Sequence, residues 1–420
     1  MILDEILEDR PRLMHLFAAA HSLDITPPRP IALAGYQTLR KAVFQRVADP
    51  LEANLLALRD EEGGTILFVS LDLMYAGSVI QQQIREQLNG QIELQNIFLS
   101  ASHTHSAPPS EPSLPVLGKI APEYLEAIGE RLADAAKVLL SGPFMAVSVE
   151  YIKGEACHSV NRRAKGTMVN WRYPFVHRGI QIRPNLQGPR DDRLHLIRLR
   201  SGAGKCVAVC WSYACHPVGF PELNAVSADF PGVVRSALRE MVGDVPVVFW
   251  QGFSGNVRPR VPAGGGVHGQ EAITFEKMDW QQWRLWSGGL ARKVADLVQE
   301  GGTRVEGMIH GERRELLLSE LGLVSGKRMV YQRIALGPEL VICGLSAEVS
   351  VEYGAMMERI HAPSQVVPVG CIGDVFGYLP TSQMVHEGGY EAAGFVPRFG
   401  LGGGYSANVN EVVERVLRQP

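Results

Sequence analysis

The sequence predicts an α/β fold, a large mixed β-sheet flanked by helices, on three observations. Apolar strand-like runs alternate with amphipathic helical ones along the 420 residues. Two strand pairs are hairpins, turned at EEGG (61–64) and GAGK (202–205), which makes the sheet mixed rather than purely parallel. Residues of unusual chemistry collect directly after strands, where α/β folds bind ligands. With 46% hydrophobic residues the chain can bury a large core, and it reads as a single domain over residues 1–420.

The elements follow in order. Residues 2 to 17 predict a short amphipathic helix, an N-terminal extension within residues 1–20. Their acidic start lacks the basic region and unbroken apolar run of a signal peptide, and no stretch reaches membrane-helix length, so the expected location is cytoplasmic. Residues 52–74 form the first hairpin, GSVIQQQIREQL a helix, and IELQNIFLSAS a strand leading to two histidines. PEYLEAIGERLADAAKVLL is a clear amphipathic helix, and residues 193–214 are the second hairpin, ending at His216. Then come helix PGVVRSALREMV, strand VPVVFW, loop QGFSGNVRPR, a Gly/Pro-rich stretch to 271, and a helix over 275–299. The last third predicts strands near 303–317 and 338–345, a helix over 351–361, a strand over 365–371 and a closing helix over 407–418.

Composition narrows the function. Lys+Arg 41 against Asp+Glu 44 gives a net charge of -3, with no basic excess for nucleic acid and no basic amphipathic helix for a membrane surface. The cysteines (Cys157, Cys206, Cys210, Cys215, Cys343, Cys371) form no CxxC pair and read as small buried hydrophobes; Cys215, beside His216, is the one of interest.

Five loops carry the chemistry: HTH (103–105), CHP (215–217), GFSGN (252–256), AEV (347–349) and GDVFGY (373–378). In an extended segment His103 and His105 point to one side, which makes either a metal site or two ordinary polar loop residues. His103, His216 and Glu348 can supply the His2Glu set of catalytic zinc. Taken singly, His216 is also a polar strand end stiffened by Pro217, and Glu348 a helix N-terminal acid. Asp72, Asp229 and Asp374 are either partners for the histidines or caps and turn formers. The glycine runs PAGGGVHG (262–269) and FGLGGGY (399–405) lack a phosphate-binding order and read as loops or a lid, with His268 in the first. Trp280, Trp283 and Trp286 share a helix face suited to core or subunit packing, which leaves a homo-oligomer open; a pocket wall is the alternative.

In combination these motifs resemble the catalytic domain of the neutral/alkaline (non-lysosomal) ceramidase family. The resemblance runs through DITPP (24–28), GY (35–36), VSLDLM (69–74), SASHTHSAP (100–108), NR (161–162), HPV (216–218) and SADFPG (227–232). It continues through QGFSGNVRP (251–259), GLSAEVS (344–350) and GYLPTSQMVHEGGYE (377–391). It implies Zn2+ held by His103, His216, Glu348 and Tyr378, with His105 beside the metal as a hydrogen-bond partner to substrate or water. It further implies that Arg162 binds the amide oxygen or leaving group and that Tyr390 is a second active-site tyrosine.

One departure matters. The family's GDxSP serine is replaced: here the stretch is Gly255-Asn256-Val257-Arg258-Pro259. Arginine cannot be a nucleophile, and Ser254 lies on the other side of Gly255. The expectation is therefore a zinc-dependent hydrolase that cleaves an N-acyl or lactam-like amide of a small soluble substrate through metal-bound hydroxide. Arg258, with Asn256, would bind that substrate, gripping a carboxylate or phosphate in a bidentate fork. Without the ceramidases' C-terminal β-sandwich domain, ceramide is not the expected substrate. An esterase or lactonase with the same site, and a non-catalytic metal- or ligand-binding homologue, are the alternatives.

Overall fold

LFAAAHSLD, with Leu16 and Ala18 turned inward, forms a strand over Leu16–Asp24 (β1), where a helix was expected to reach residue 17. It is paired along its length by the next strand, and that pairing overrides the local helical pattern. The computed structural model describes residues 15–36, 39–169, 176–262, 273–275 and 277–419; the rest of the expected N-terminal helix and His268 lie outside them.

The chain continues through β2 (Glu52–Arg59), β3 (Thr65–Leu71), β4 (Ile97–Ala101), β5 (Met145–Glu155), β6 (Ser159–Val169), β7 (Val176–Asn185), β8 (Arg193–Ser201), β9 (Cys206–Tyr213), β10 (Val247–Gln251), β11 (Val257–Pro259) and β12 (Thr303–Val305). Then follow β13 (Ile309–Leu317), β14 (Arg328–Leu336), β15 (Leu340–Leu345), β16 (Glu348–Val349), β17 (Gln365–Val369) and β18 (Tyr378–Leu379). The large sheet has the order β10-β9-β8-β5-β1-β2-β3-β4, with β12 added beside β5. It is mixed as expected: β9/β10 and β3/β4 are parallel, the other pairs antiparallel. A second sheet runs β13-β14-β15-β17, and a third, β11-β6-β7, stands apart from both.

The large sheet coils until its ends meet. The Ser70 hydroxyl on β3 donates to the Phe249 carbonyl on β10 (2.6 Å), and the Asn54 carboxamide on β2 accepts from the Val247 N–H (3.2 Å). The second sheet is stitched to the same edge, with Gly370 N–H donating to Gln251 O (2.8 Å) and a bridge between Ser100 and Ile372. The carboxyl ends of β4, β9, β10, β15 and β17 therefore open into one region, and the five loops predicted from sequence leave from those ends.

Helices cover the outer faces. In Pro122–Ser141, Tyr124, Leu125, Ile128, Leu132 and Ala136 recur at helical spacing and are buried, with proline in the first turn. Trp280–Leu297 starts in a capping box between Asp279 and Gln282. Its Trp283 and Trp286 are buried among Phe220 and Phe230, while Trp280 stays at the rim, so the tryptophan series is mainly core. Among the described residues no helix is long and apolar enough to cross a membrane.

One further expectation is corrected, and another holds for all but one residue. The run 399–405 is no lid: Leu401 and Tyr405 are buried, Gly402–Gly403 pairs with Leu323–Val324, and the Tyr405 phenol donates to the Tyr378 carbonyl. Of the cysteines, Cys157 is exposed and the others are buried.

Candidate metal centre

His103 follows β4, His216 follows β9 and Glu348 opens β16. Their ligating atoms form a small triangle. His103 Nε2 lies 3.1 Å from His216 Nε2, and the Glu348 Oε2 oxygen is 3.4 Å from the first and 3.1 Å from the second. A tetrahedral zinc ion with bonds of about 2.0–2.1 Å separates its ligand atoms by about 3.3 Å. The triangle therefore has the edge length a metal requires.

The inner nitrogens are already committed. His103 Nδ1 meets the Met74 carbonyl at 3.0 Å and His216 Nδ1 the Ser254 carbonyl at 2.9 Å, so each ring is anchored through Nδ1 and turns its Nε2 to the centre. These partners are backbone carbonyls, not the aspartates that were one of the two readings from sequence. Asp72 pairs with Arg235 (2.7 Å), and Asp229 accepts from the backbone N–H of Phe220 and Phe230, capping a helix. Glu348 has its Oε1 held by the Tyr75 hydroxyl at 2.6 Å, while its buried Oε2 has no hydrogen-bond partner. Tyr75 also stacks on His103, with ring centroids 5.4 Å apart. Sequence reasoning missed Tyr75; only its place at the end of VSLDLM hinted at it.

Electrostatics agree with a cation site. Burial opposes ionisation of Glu348, but the two imidazoles outweigh it and hold the carboxyl well below its usual range. Burial pushes His216 down to about 4, leaving it a neutral donor. For His103 burial acts the same way, yet the neighbouring Cys371 thiol and Glu348 carboxylate raise its pKa well above the usual histidine value. A metal ion would displace the proton held there.

Tyr378 is paired with Glu348 in a two-residue parallel ladder, β16 with β18, which brings phenol and carboxylate to one side. Burial and Glu348 keep its pKa well above 10, so in the metal-free chain it is a protonated donor. The Arg162 guanidinium lies 5.4 Å from the Tyr378 ring centroid, and Tyr390 packs edge-on at 5.3 Å. Arg162 Nε donates to Glu391 (2.8 Å), Arg163 takes that carboxylate's other oxygen (2.8 Å), and Arg162 Nη2 is buried without a partner.

His105 sits 5.0 Å from His103 and 5.7 Å from His216 between ring centroids, and neither of its ring nitrogens has a partner. The three histidines can bring one nitrogen each within 4.8 Å of one another. Burial and the other two imidazoles push the His105 pKa well below its ordinary value. Tyr36 lies over this ring at 5.3 Å, and Gly35 is required beneath it, since a Cβ there would stand 2.8 Å from His105 Nδ1. His103, Glu348 and His216 are almost fully buried; His105, Tyr36, Arg258 and Tyr390 form the partly exposed side.

Asn256 departs from its expected substrate role. Its Nδ2 donates to Glu352 (2.9 Å), its Oδ1 accepts from Val351 N–H (2.9 Å), and its carbonyl accepts from Arg162 N–H (2.9 Å). Both ends of the carboxamide bond within the loop's surroundings, so the side chain is a brace. Ser254 is likewise engaged, accepting from Gln251 at 2.5 Å. Among the described residues, the non-glycine residues with positive φ are Tyr36, His103, Asp229 and Cys371; the first two belong to the site, and Cys371 lies near His103. Strain of this kind persists where surrounding structure over-determines it.

No protein-family model and no curated protein matches the chain. Solved structures do. A neutral ceramidase from Pseudomonas aeruginosa superimposes with a TM-score of 0.75 at 16% identity, covering 97% of this chain and 74% of that one. A ceramidase complexed with C2 gives the same TM-score and coverage at 15% identity. The chain thus has the fold of these neutral-ceramidase structures.

Proposed function

We propose, from the neutral-ceramidase fold as premise, that the protein is a metal-dependent hydrolase cleaving an amide bond in a small soluble substrate. The observation that carries this is the triangle of His103 Nε2, His216 Nε2 and Glu348 Oε2, whose edges of 3.1–3.4 Å fit Zn2+. Tyr378, beside Glu348, would complete the donor set. A bound zinc ion would polarise the amide carbonyl and acidify a water molecule towards neutral pH.

The chain's own residues supply the rest. Arg162, with a buried Nη2 lacking a partner, would donate to the carbonyl oxygen as charge develops there. Tyr378 and Tyr390 would add phenol donors on the same side. His105, whose nitrogens are both free, would hydrogen-bond and orient the attacking water or the substrate. No serine nucleophile is required, which suits the arginine at position 258.

The test is turnover of a panel of N-acyl amines, lactams and matched esters by zinc-loaded wild type and by His103→Ala, read by mass spectrometry of products. Amide cleavage that needs both zinc and His103 is the expected result. Faster cleavage of the matched esters would favour an esterase or lactonase. Stoichiometric zinc without turnover of either would favour a non-catalytic binding protein, the reading that the lost motif serine supports.

A further inference from the structure

The partly exposed side of the centre carries a surplus of positive charge that the protein does not neutralise. Arg258 Nε, Arg162 Nη2 and Arg40 Nη1 are each buried without a hydrogen-bond partner. All three guanidiniums lie close enough to the Tyr36 phenol to act on it, and Arg162 and Arg258 repel each other. Lys277 adds a fourth positive group near Arg40. The nearby carboxylates are taken: Glu391 is divided between Arg162 and Arg163, Asp229 caps its helix, and Glu348 faces the histidines. Among the described residues no carboxylate pairs with Arg258 or Arg40.

Arg258 is also held ready. It lies on β11, in register opposite Val160 of β6, and its guanidinium stacks on the Phe275 ring with Cζ 4.4 Å from the centroid. Stacking fixes the plane and leaves the Nε edge for an oxygen ligand. A buried guanidinium edge without an acceptor is costly, and a planar carboxylate with two oxygens is the ligand that satisfies it best.

Resting on the hydrolase reading above, we infer that this site selects substrates with a carboxylate close to the scissile amide, of the N-acyl amino acid kind, and that Arg258 is the specificity-determining residue. Arg40 and Arg162 supply the surrounding field. The arginine in place of the motif serine then exchanges a neutral substrate for an anionic one.

The experiment is calorimetric titration of metal-free protein with short- and medium-chain N-acylglycines and with their methyl esters, which keep the amide and remove the charge. The free acids should bind at least about tenfold more tightly than the esters, an advantage that fades with added salt. In Arg258→Gln the ratio should fall to near one; Arg258→Lys, which keeps charge but not the fork, should fall between. Thermal unfolding of both variants checks that they are folded. Equal affinity for acid and ester, binding of neither, or a ratio unchanged in Arg258→Gln would overturn the inference. Repeating the series as kcat/KM on zinc-loaded protein separates the two readings. Acid preference in binding without hydrolysis keeps the anion site and rejects the hydrolase. Hydrolysis of both at equal kcat/KM does the reverse.

Discussion

Replacing Gly255 with alanine should release the metal while leaving the fold intact. The ideal Cβ at this position would stand 2.5 Å from the Glu348 carbonyl oxygen and 3.0 Å from its carbon, and both are backbone atoms that cannot swing aside. Ordinary contact begins near 3.4 Å, so the Glu348 segment must retreat by about 0.9 Å. A carboxylate bond to zinc of about 2.1 Å would then stretch to about 3 Å, which is no bond. Even losses behind the ligands cost ten- to a hundredfold in metal affinity, so removal of a ligand should cost at least about a hundredfold. Competition with a chromophoric chelator measures the affinity, and circular dichroism shows whether the variant folds. The internal control is Gly288→Ala, at a half-buried helix position where a Cβ meets nothing within 4 Å. That change should leave zinc affinity alone and add up to about 1 kcal/mol of stability. Folded Gly255→Ala with zinc affinity within a few-fold of wild type would refute the argument that backbone contact at Gly255 sets the position of Glu348.

Other expectations follow from the same geometry. Tyr75→Phe removes the 2.6 Å donor to Glu348 Oε1 and should weaken zinc binding about tenfold, by the same chelator competition. Glu391→Gln leaves Arg162 and Arg163 without their buried counter-charge and should cost about 3–5 kcal/mol in urea unfolding. Stability should decline as pH falls below about 6.5. Burial pushes His195 to about 3 and His158 and His361 to about 4, so the unfolded chain binds protons that the native chain refuses. His195, held by the Tyr151 hydroxyl at 2.8 Å, is the deepest case; His195→Gln should flatten the slope between about pH 6.5 and 3, and an unchanged slope would exclude it as a source.

The sheet's hairpins and most helices were legible because each is written in local periodicity and turn residues. So was the placement of His103, His216, Glu348 and Tyr378 at strand ends. What stayed hidden depends on distant partners. β6 and β7 read KGTMV and QIRPN, polar segments that become strands by pairing with each other, and β14 is a strand because β13 and β15 lie on either side. Asn256 looked like a ligand-facing loop residue, and only the arrival of Glu352 and Val351 turns it into a brace. Tyr75 reaches Glu348 across 273 positions, a contact no spacing rule contains. The N-terminal helix expectation failed on β1 because an amphipathic pattern does not tell whether a sheet edge is waiting.

The short ladder between Glu348 and Tyr378 behaves like a two-position switch with no middle setting. Side chains in a strand alternate faces, so a slip of one residue would carry the phenol to the opposite side from the carboxylate. A deletion or insertion in the connection from Cys371 to Gly377 therefore has no small effect available to it. Either the pairing holds and the loop absorbs the change, or it jumps and Tyr378 and Glu348 part company altogether. Graded change in this pairing cannot come from its register, which admits only whole steps.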